Sequence, residues 1–207
     1  MFDYTLLGLF IPTFIIVSAT PGMCMTLALS LGMSIGVRKT LWMMAGELTG
    51  VALVSILSVI GVATMMLNHP TIFSALKYLG GGYLIYLGSQ QWLMRGRMNI
   101  GKEGNTSPEI SARKLVAQGF VTAIANPKGW AFMVSLLPSF INPELPMPPQ
   151  LIALVLIILC TEFVFLMLYA SGGKSLGRLL GKSQNVLIIN RIAGSLIIIL
   201  GLLLVFG

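Results

Sequence analysis

The chain has 207 residues, of which 56% are hydrophobic and 9% are charged, and its formal net charge is +7. Because a soluble domain carries about 25% charged residues, this composition favours a membrane protein. The basic residues stand between apolar runs, where they indicate lipid contacts and topology, so we expect no nucleic-acid partner. The sequence shows no soluble domain and no metal-ligand spacing, and we therefore expect neither an enzyme nor a bound cofactor.

Six segments are apolar enough to cross a bilayer, which takes about 20 residues each. In chain order they are 4–37, 40–67, 71–94, 115–141, 151–171 and 186–206. The sequence therefore predicts an all-α integral membrane protein with six transmembrane helices. No Lys or Arg precedes the first segment, so a cleaved signal peptide is not expected. The single histidine, His69, is expected at the surface of a turn.

The connections between these segments alternate in charge. The first, third and fifth connections hold ten basic residues: Arg38, Lys39, Arg95, Arg97, Lys102, Arg113, Lys114, Lys174, Arg178 and Lys182. The second and fourth connections hold none. By the positive-inside rule the three basic connections are cytoplasmic, and both termini of this multi-pass protein are outside.

The two halves of the chain repeat each other. "ATPGMCM" at 19–25 resembles "ANPKGWA" at 125–131, the second and fifth segments each carry one glutamate, and 77–88 resembles 191–201. We therefore expect a first repeat at 1–95, a cytoplasmic linker at 96–113 and a second repeat at 114–207. Three spans are an odd number, so the second repeat is inverted relative to the first. Inverted repeats are typical of secondary transporters that bind substrate at the repeat interface.

Pro21 and Pro127 interrupt the first and fourth segments. A proline has no N–H, so the carbonyls of Val17 and Ala123 lose their helical partners. We expect both helices to be broken or kinked there, since lipid offers no replacement donor. A break exposes a helix N-terminus that can bind a substrate carboxylate. A simple packing kink is the alternative.

Five charged residues lie within the predicted spans. Two of them, Lys77 and Arg191, lie near the ends of their spans, where their side chains can reach the lipid headgroups. Glu47 and Glu162 are candidates for carrying a proton or for binding a substrate ammonium group, because ionisable residues in a bilayer are costly. Lys128 follows the second break, where it could pair with Glu162 or hold a carboxylate. A purely structural ion pair remains open. Glu47, Glu162 and Lys128 together leave one net negative charge within the spans, which suits a zwitterionic or cationic substrate. Cys24 and Cys160 are expected to be inert core thiols, and Tyr169 a packing residue.

The chain resembles the lysine-exporter family of bacterial amino-acid exporters. The resemblance rests on Pro21-Gly22, "YLIYLG" at 83–88, "ANPK" and "LLPSF" at 125–128 and 136–140, Glu162 seven residues before Tyr169, and "NRIAG" at 190–194. It implies a six-span carrier in the bacterial inner membrane, and a homodimer. The carrier would export amino acids or close derivatives, driven by a proton or ion gradient.

Two departures from the family pattern stand out. Met23 and Cys24 replace the proline and asparagine that commonly follow Pro-Gly in the family. The acid of the second span is Glu47, one helical turn before its usual place at Val51.

The predicted substrate-binding residues are Pro21, Gly22, Asn126, Pro127, Lys128 and Glu162. The predicted coupling residues are Glu47 and Glu162. Two other functions are left open by the sequence: a membrane thiol–disulfide carrier using the two cysteines, and an exporter of metals or small cations. The cysteines lie in non-equivalent spans and two intramembrane glutamates are few for a metal path, so amino-acid export is favoured.

Overall fold

The computed structural model describes residues 3–68, 70–93, 110–181 and 183–206, and helices are the only regular structure in these ranges. The helices are α1 (Tyr4–Ala19), α2 (Met23–Ser34), α3 (Val37–Asn68), α4 (Pro70–Leu93), α5 (Ala112–Ile124), α6 (Pro127–Ser135), α7 (Met147–Gly181) and α8 (Ser183–Phe206), with a 3₁₀ turn at Leu137–Phe140. His69 and most of the predicted linker lie outside the described residues, so those expectations stay predictions.

Within the described ranges, two helices are long and apolar enough to cross a bilayer alone. They are Val37–Val62 of α3 and Met147–Gly172 of α7. α1 and α2 together form a third candidate, bent by 54° at the break between them. The fourth predicted span is divided into α5 and α6, of 13 and 9 residues, and each is shorter than the roughly 20 residues that a crossing needs.

The first break lies at Pro21, as the sequence led us to expect. α1 ends at Ala19, Thr20 and Gly22 are extended, and α2 begins at Met23. Pro12 lies inside α1 without ending it, so a proline alone does not break this segment. The adjoining Gly22, extended at φ −142° and ψ −174°, serves as the N-cap of α2.

The second break lies at Pro127. α5 ends at Ile124, and Asn126 caps α6 by accepting the backbone N–H of Lys128 at 3.2 Å. Pro127 occupies the first turn of α6, where its missing N–H costs nothing and its fixed φ suits a helix.

Glycines allow the helices to pack closely. A Cβ at Gly119 of α5 would collide with the Met43 carbonyl of α3. Between α4 and α8, a Cβ at Gly201 would lie 2.7 Å from the Gly81 oxygen, and one at Gly88 would lie 2.7 Å from the Gly194 oxygen. Each pair brings two backbones into contact, as small residues do in membrane helices.

The buried apolar residues form two clusters. One contains Phe10, Phe14, Phe132 and Ile158, together with the second half of α3. The other contains Leu29 of α2 with the first part of α3, the start of α5 and the later part of α7. Along α3 and α7 the two clusters are separated by Glu47 and Glu162, respectively. The polar residues therefore form a layer between two apolar cores.

Candidate functional site

A cavity of about 50 Å³ occupies this polar layer, which is room for several waters. Residues from both helix breaks, α3, α6 and α7 line it. Its lining includes Gly22 and the polar side chains of Ser18, Thr20, Cys24, Glu47, Asn126, Lys128 and Glu162. Five of the seven predicted site residues are among them. Pro21 and Pro127 are not lining residues, and they contribute by breaking the helices at its edge.

Lys128 closes the broken end of α1. Its Nζ donates to the carbonyl oxygens of Val17 at 2.7 Å and Thr20 at 3.1 Å. The Val17 carbonyl is the one that Pro21 deprives of its helical donor. A cation is also favoured at a helix C-terminus by the helix dipole. Of the two roles considered for Lys128, the structure shows neither directly, because its ammonium group is bound to main-chain oxygens.

Tyr169 supplies another donor to the same helix end. Its hydroxyl donates to the Ala19 carbonyl at 3.0 Å, and its side chain is buried. The Thr20 hydroxyl donates to the Ile16 carbonyl at 2.9 Å. The end of α1 is thus satisfied by side chains, most of them from the second half of the chain. Tyr169 therefore does more than pack, and its phenol group was the one sequence signal of this role.

The second break is satisfied by its own neighbours. The N–H of Asn126 donates to the Ala123 carbonyl at 3.2 Å, and that of Ala125 donates to Val121 at 2.8 Å. The Trp130 indole donates to the Ile124 carbonyl at 2.8 Å. The two breaks are alike in sequence, but only the first depends on distant side chains.

Glu47 presents an unpartnered oxygen in the cavity. Its side chain is 1% exposed, and its Oε2 has no hydrogen-bond partner. The Cys24 thiol lines the same cavity, and Asn126 Nδ2 donates to Cys24 Sγ at 3.6 Å. A buried polar atom without a partner is costly. The oxygen is therefore positioned for a ligand, a proton or a water.

Glu162 is half-buried and is held by a serine. The Ser18 hydroxyl donates to its Oε1 at 2.9 Å. Ser18 was not among the predicted site residues, although a hydroxyl three positions before Pro21 was a possible signal. Glu47 and Glu162 come from different halves of the chain and line the same cavity.

The N-terminus of α2 opens onto the cavity without a side-chain cap. Gly22 and Cys24 both line it, and no side chain of residue 22 can accept the first N–H groups. A Cβ at Gly22 would lie 3.8 Å from Lys128 Cδ, so the position is open rather than crowded. The main-chain N–H groups of this turn are available to an anion.

The two cysteines have different surroundings. Cys24 is buried and Cys160 is exposed on α7. The expectation of two core thiols is therefore wrong for Cys160, because its side chain is exposed. It is incomplete for Cys24, which lines the cavity. Within the described ranges, His, Cys, Asp and Glu form no group of three that could hold a metal ion.

Comparison with known proteins identifies the family. The model of the LysE type translocator family matches residues 15–207. The chain is 26% identical over 189 residues to the homoserine/homoserine lactone efflux protein of Salmonella typhimurium, covering 91% of this chain and 90% of the relative. It is 29% identical over 193 residues to an uncharacterized membrane protein of Vibrio cholerae, covering 93% and 92%.

A leucine efflux protein of an Enterobacter species is 31% identical over 123 residues, covering 59% of this chain and 57% of the relative. No solved structure matches the chain. The family model spans most of the sequence, including both helix breaks and both cavity glutamates. The chain therefore belongs to the LysE-type translocator family, and it is a membrane transporter rather than an enzyme.

Proposed function

We propose that this protein is a secondary transporter that exports neutral amino acids or close derivatives from the cytoplasm by alternating access. The observation that carries the proposal is the unpartnered Glu47 Oε2 in a cavity that also receives the uncapped N-terminus of α2. An acceptor for an ammonium group and donors for a carboxylate then face one small space. Those are the two charges of a zwitterionic amino acid.

In this proposal the substrate carboxylate binds the main-chain N–H groups after Gly22. These groups carry the positive end of the α2 dipole, and the Lys128 ammonium group adds positive charge nearby. The substrate ammonium binds Glu47, whose oxygen otherwise lacks a partner. Both interactions form within an apolar surround, where charge-assisted hydrogen bonds are strong.

The rest of the cavity suits a neutral side chain. Phe14, Val51, Val54, Phe132 and Met133 supply apolar walls. The two relatives named for efflux carry leucine and homoserine or its lactone by their names, and each of those compounds has an uncharged side chain. A substrate with an acidic side chain would bring a second negative charge next to Glu47 and Glu162, which disfavours it.

Alternating access rests on the inverted repeat, and the α4–α8 contact supports one. Suppose that Gly81 and Gly194 are equivalent positions in the two repeats, and that Gly88 and Gly201 are also equivalent. The Gly81–Gly201 contact is then equivalent to the Gly194–Gly88 contact, and the structure has both contacts. An inverted two-fold relation between the third helices of the two repeats has this property. The two breaks depart from the relation, because only the first is closed by distant side chains. Such a difference between repeats is what one conformation of an alternating carrier requires.

In this proposal the two glutamates couple substrate export to the proton gradient. Proton uptake by Glu47 would remove the charge that holds the substrate ammonium group, so substrate release and protonation would be linked. Glu162 would take a proton through the same cavity. The inner membrane, both termini outside and a homodimer complete the proposal. The exposed apolar residues of α7 and α8 offer a surface to lipid or to a second copy.

The test is efflux from proteoliposomes loaded with labelled leucine, homoserine, lysine or aspartate, with and without an imposed pH gradient. We expect gradient-dependent efflux of the two neutral amino acids and little of aspartate. Glu47→Gln should abolish the dependence on the pH gradient, whereas Glu144→Gln, at an exposed loop position, should not. Efflux of none of the four compounds by folded native protein would refute amino-acid export.

A further inference from the structure

The end of α1 has the chemistry of a cation site. The carbonyl oxygens of Val17 and Thr20 converge on one point, since a single atom, Lys128 Nζ, lies 2.7 and 3.1 Å from them. Broken helices of secondary transporters use such freed carbonyls and helix C-terminal ends to hold a coupling cation. In this protein the point is already occupied, by a positive charge attached to the chain.

A carboxylate and a hydroxyl group complete the surroundings. Glu162 lines the same cavity as Lys128, and the Ser18 hydroxyl donates to Glu162 Oε1 at 2.9 Å. Val17, Ser18, Thr20, Lys128 and Glu162 all line the same cavity. The two oxygens that contact the ammonium group are neutral main-chain carbonyls, and neutral carbonyls suit a monovalent cation better than a divalent one.

We propose that Val17, Ser18, Thr20 and Glu162 form a cradle for a monovalent cation, and that the Lys128 ammonium group permanently fills it. The lysine thereby replaces the free alkali cation that other carriers bind at a broken helix. The native protein then needs no Na⁺ or K⁺ to close the end of α1, and protons are left as its coupling ions. A free alkali cation should enter the cradle once the ammonium group is removed.

The proposal deepens the proposed transport function, because it excludes alkali cations from coupling. Its test does not depend on transport. The readout is the thermal unfolding midpoint, Tm, of the purified full-length chain in detergent. Tm is compared in LiCl, NaCl, KCl and choline chloride at one ionic strength. A failed efflux assay and a failed cradle are therefore seen in separate experiments.

In the native protein we expect the same Tm in all four salts. In Lys128→Ala we expect a lower Tm in choline chloride and a saturable rise with at least one alkali cation. A concentration about five times the Kd should raise Tm by roughly 2 to 4 °C in a chain of this size. Methylammonium chloride should act similarly, since it returns the missing group to the cradle.

Three variants serve as controls. Lys128→Arg keeps a positive charge at the site and should show no preference among the salts. Lys39→Ala removes an exposed lysine and should behave as the native protein does. Lys128→Ala combined with Glu162→Gln removes the carboxylate of the cradle and should lose most of the alkali-cation effect.

Two results would overturn the proposal. One is a Lys128→Ala variant whose Tm is the same in choline chloride as in every alkali salt and in methylammonium chloride. The other needs no variant: a rise in Tm of the native protein specific to one alkali cation would mean that the ammonium group does not fill the cradle. The native measurement can thus overturn the proposal even if Lys128→Ala does not fold.

Discussion

Lys128 Nζ lies 2.7 Å from the carbonyl oxygen of Val17, so the first turn of α6 closes the end of α1. The two residues belong to the two predicted repeats. A movement of one repeat against the other must keep this contact or break it, and breaking it removes the charged donor of the Val17 carbonyl and leaves that oxygen with the Thr20 N–H alone, at 3.2 Å. The closed end of α1 and the proposed substrate site therefore line the same cavity.

The first prediction concerns the unpartnered carboxylate. Glu47→Gln should raise the half-saturating concentration of leucine about 10- to 100-fold, because a hydrogen bond to a charged group contributes about 1.5–3 kcal/mol. The measurement is efflux from proteoliposomes over a range of internal leucine concentrations. The hydroxy-acid analogue of leucine lacks the ammonium group. The native protein should discriminate against it, and Glu47→Gln should discriminate much less. Equal discrimination by both proteins would show that Glu47 does not bind the ammonium group.

The second prediction compares two buried serines. Ser18 donates to Glu162 Oε1 at 2.9 Å, whereas Ser58 Oγ is buried without a partner. Ser18→Ala should destabilise the protein by about 1–3 kcal/mol, because it leaves a carboxylate without its donor. Ser58→Ala should be neutral or slightly stabilising, because it removes an unsatisfied hydroxyl group. Unfolding in detergent measures both changes. A loss in Ser58→Ala as large as that in Ser18→Ala would contradict the assignment.

The third prediction uses two adjacent glycines of α4. A Cβ at Gly81 would lie 2.9 Å from the Gly201 carbonyl oxygen and 2.5 Å from Val205 Cγ2, whereas one at Gly82 would meet nothing within 4 Å. Gly81→Ala should therefore destabilise the α4–α8 contact by about 1–3 kcal/mol. Gly82→Ala should be neutral or stabilise the helix by up to about 1 kcal/mol. Paired measurements of Tm test this, and equal shifts would place the α4–α8 contact elsewhere.

The fourth prediction concerns Asp3, which caps α1. Its Oδ1 accepts the backbone N–H groups of Leu6 and Thr5, each at 3.1 Å, and its Oδ2 accepts Asn142 Nδ2 at 3.0 Å. These bonds, the one from Leu6 foremost, hold the pKa of Asp3 below its usual value. The ionised form is thus favoured by folding. Its stabilising effect is present above the unfolded pKa of about 3.9 and is lost as pH falls through the lower folded value.

Asp3→Ala should therefore lower Tm at pH 7, and the difference from the native protein should shrink as the pH falls below about 4. Glu144→Ala removes another acid close to Asn142 in sequence, at an exposed position, and it is the matched control. Thermal unfolding from neutral to acid pH measures both variants. A native–variant difference that does not change with pH would mean that the Asp3 charge has no part in capping α1.

The sequence by itself determined where the helices break and which charges lie in the polar layer. A proline lacks an N–H wherever it stands, so the loss of the helical donor to the Val17 carbonyl followed from Pro21 alone. Glu47 and Glu162 followed from the rarity of acids in apolar runs. These properties are local, because each depends only on a residue and its neighbours in the sequence. The number of spans is less well determined, because only α3, α7 and the bent α1–α2 pair reach crossing length and hydropathy in the described residues.

The tertiary structure alone decided which side chains donate hydrogen bonds to the carbonyl groups at the broken end of α1. Lys128 is 111 residues from Val17 in sequence, and Tyr169 is 150 residues from Ala19. No spacing rule connects such positions, since their contact depends on how α6 and α7 pack against α1. The same packing leaves Glu47 Oε2 unpartnered and turns Cys160 outward. The sequence therefore determines where the helix breaks, whereas the packing of other helices around the break determines which side chains donate to its free carbonyl groups.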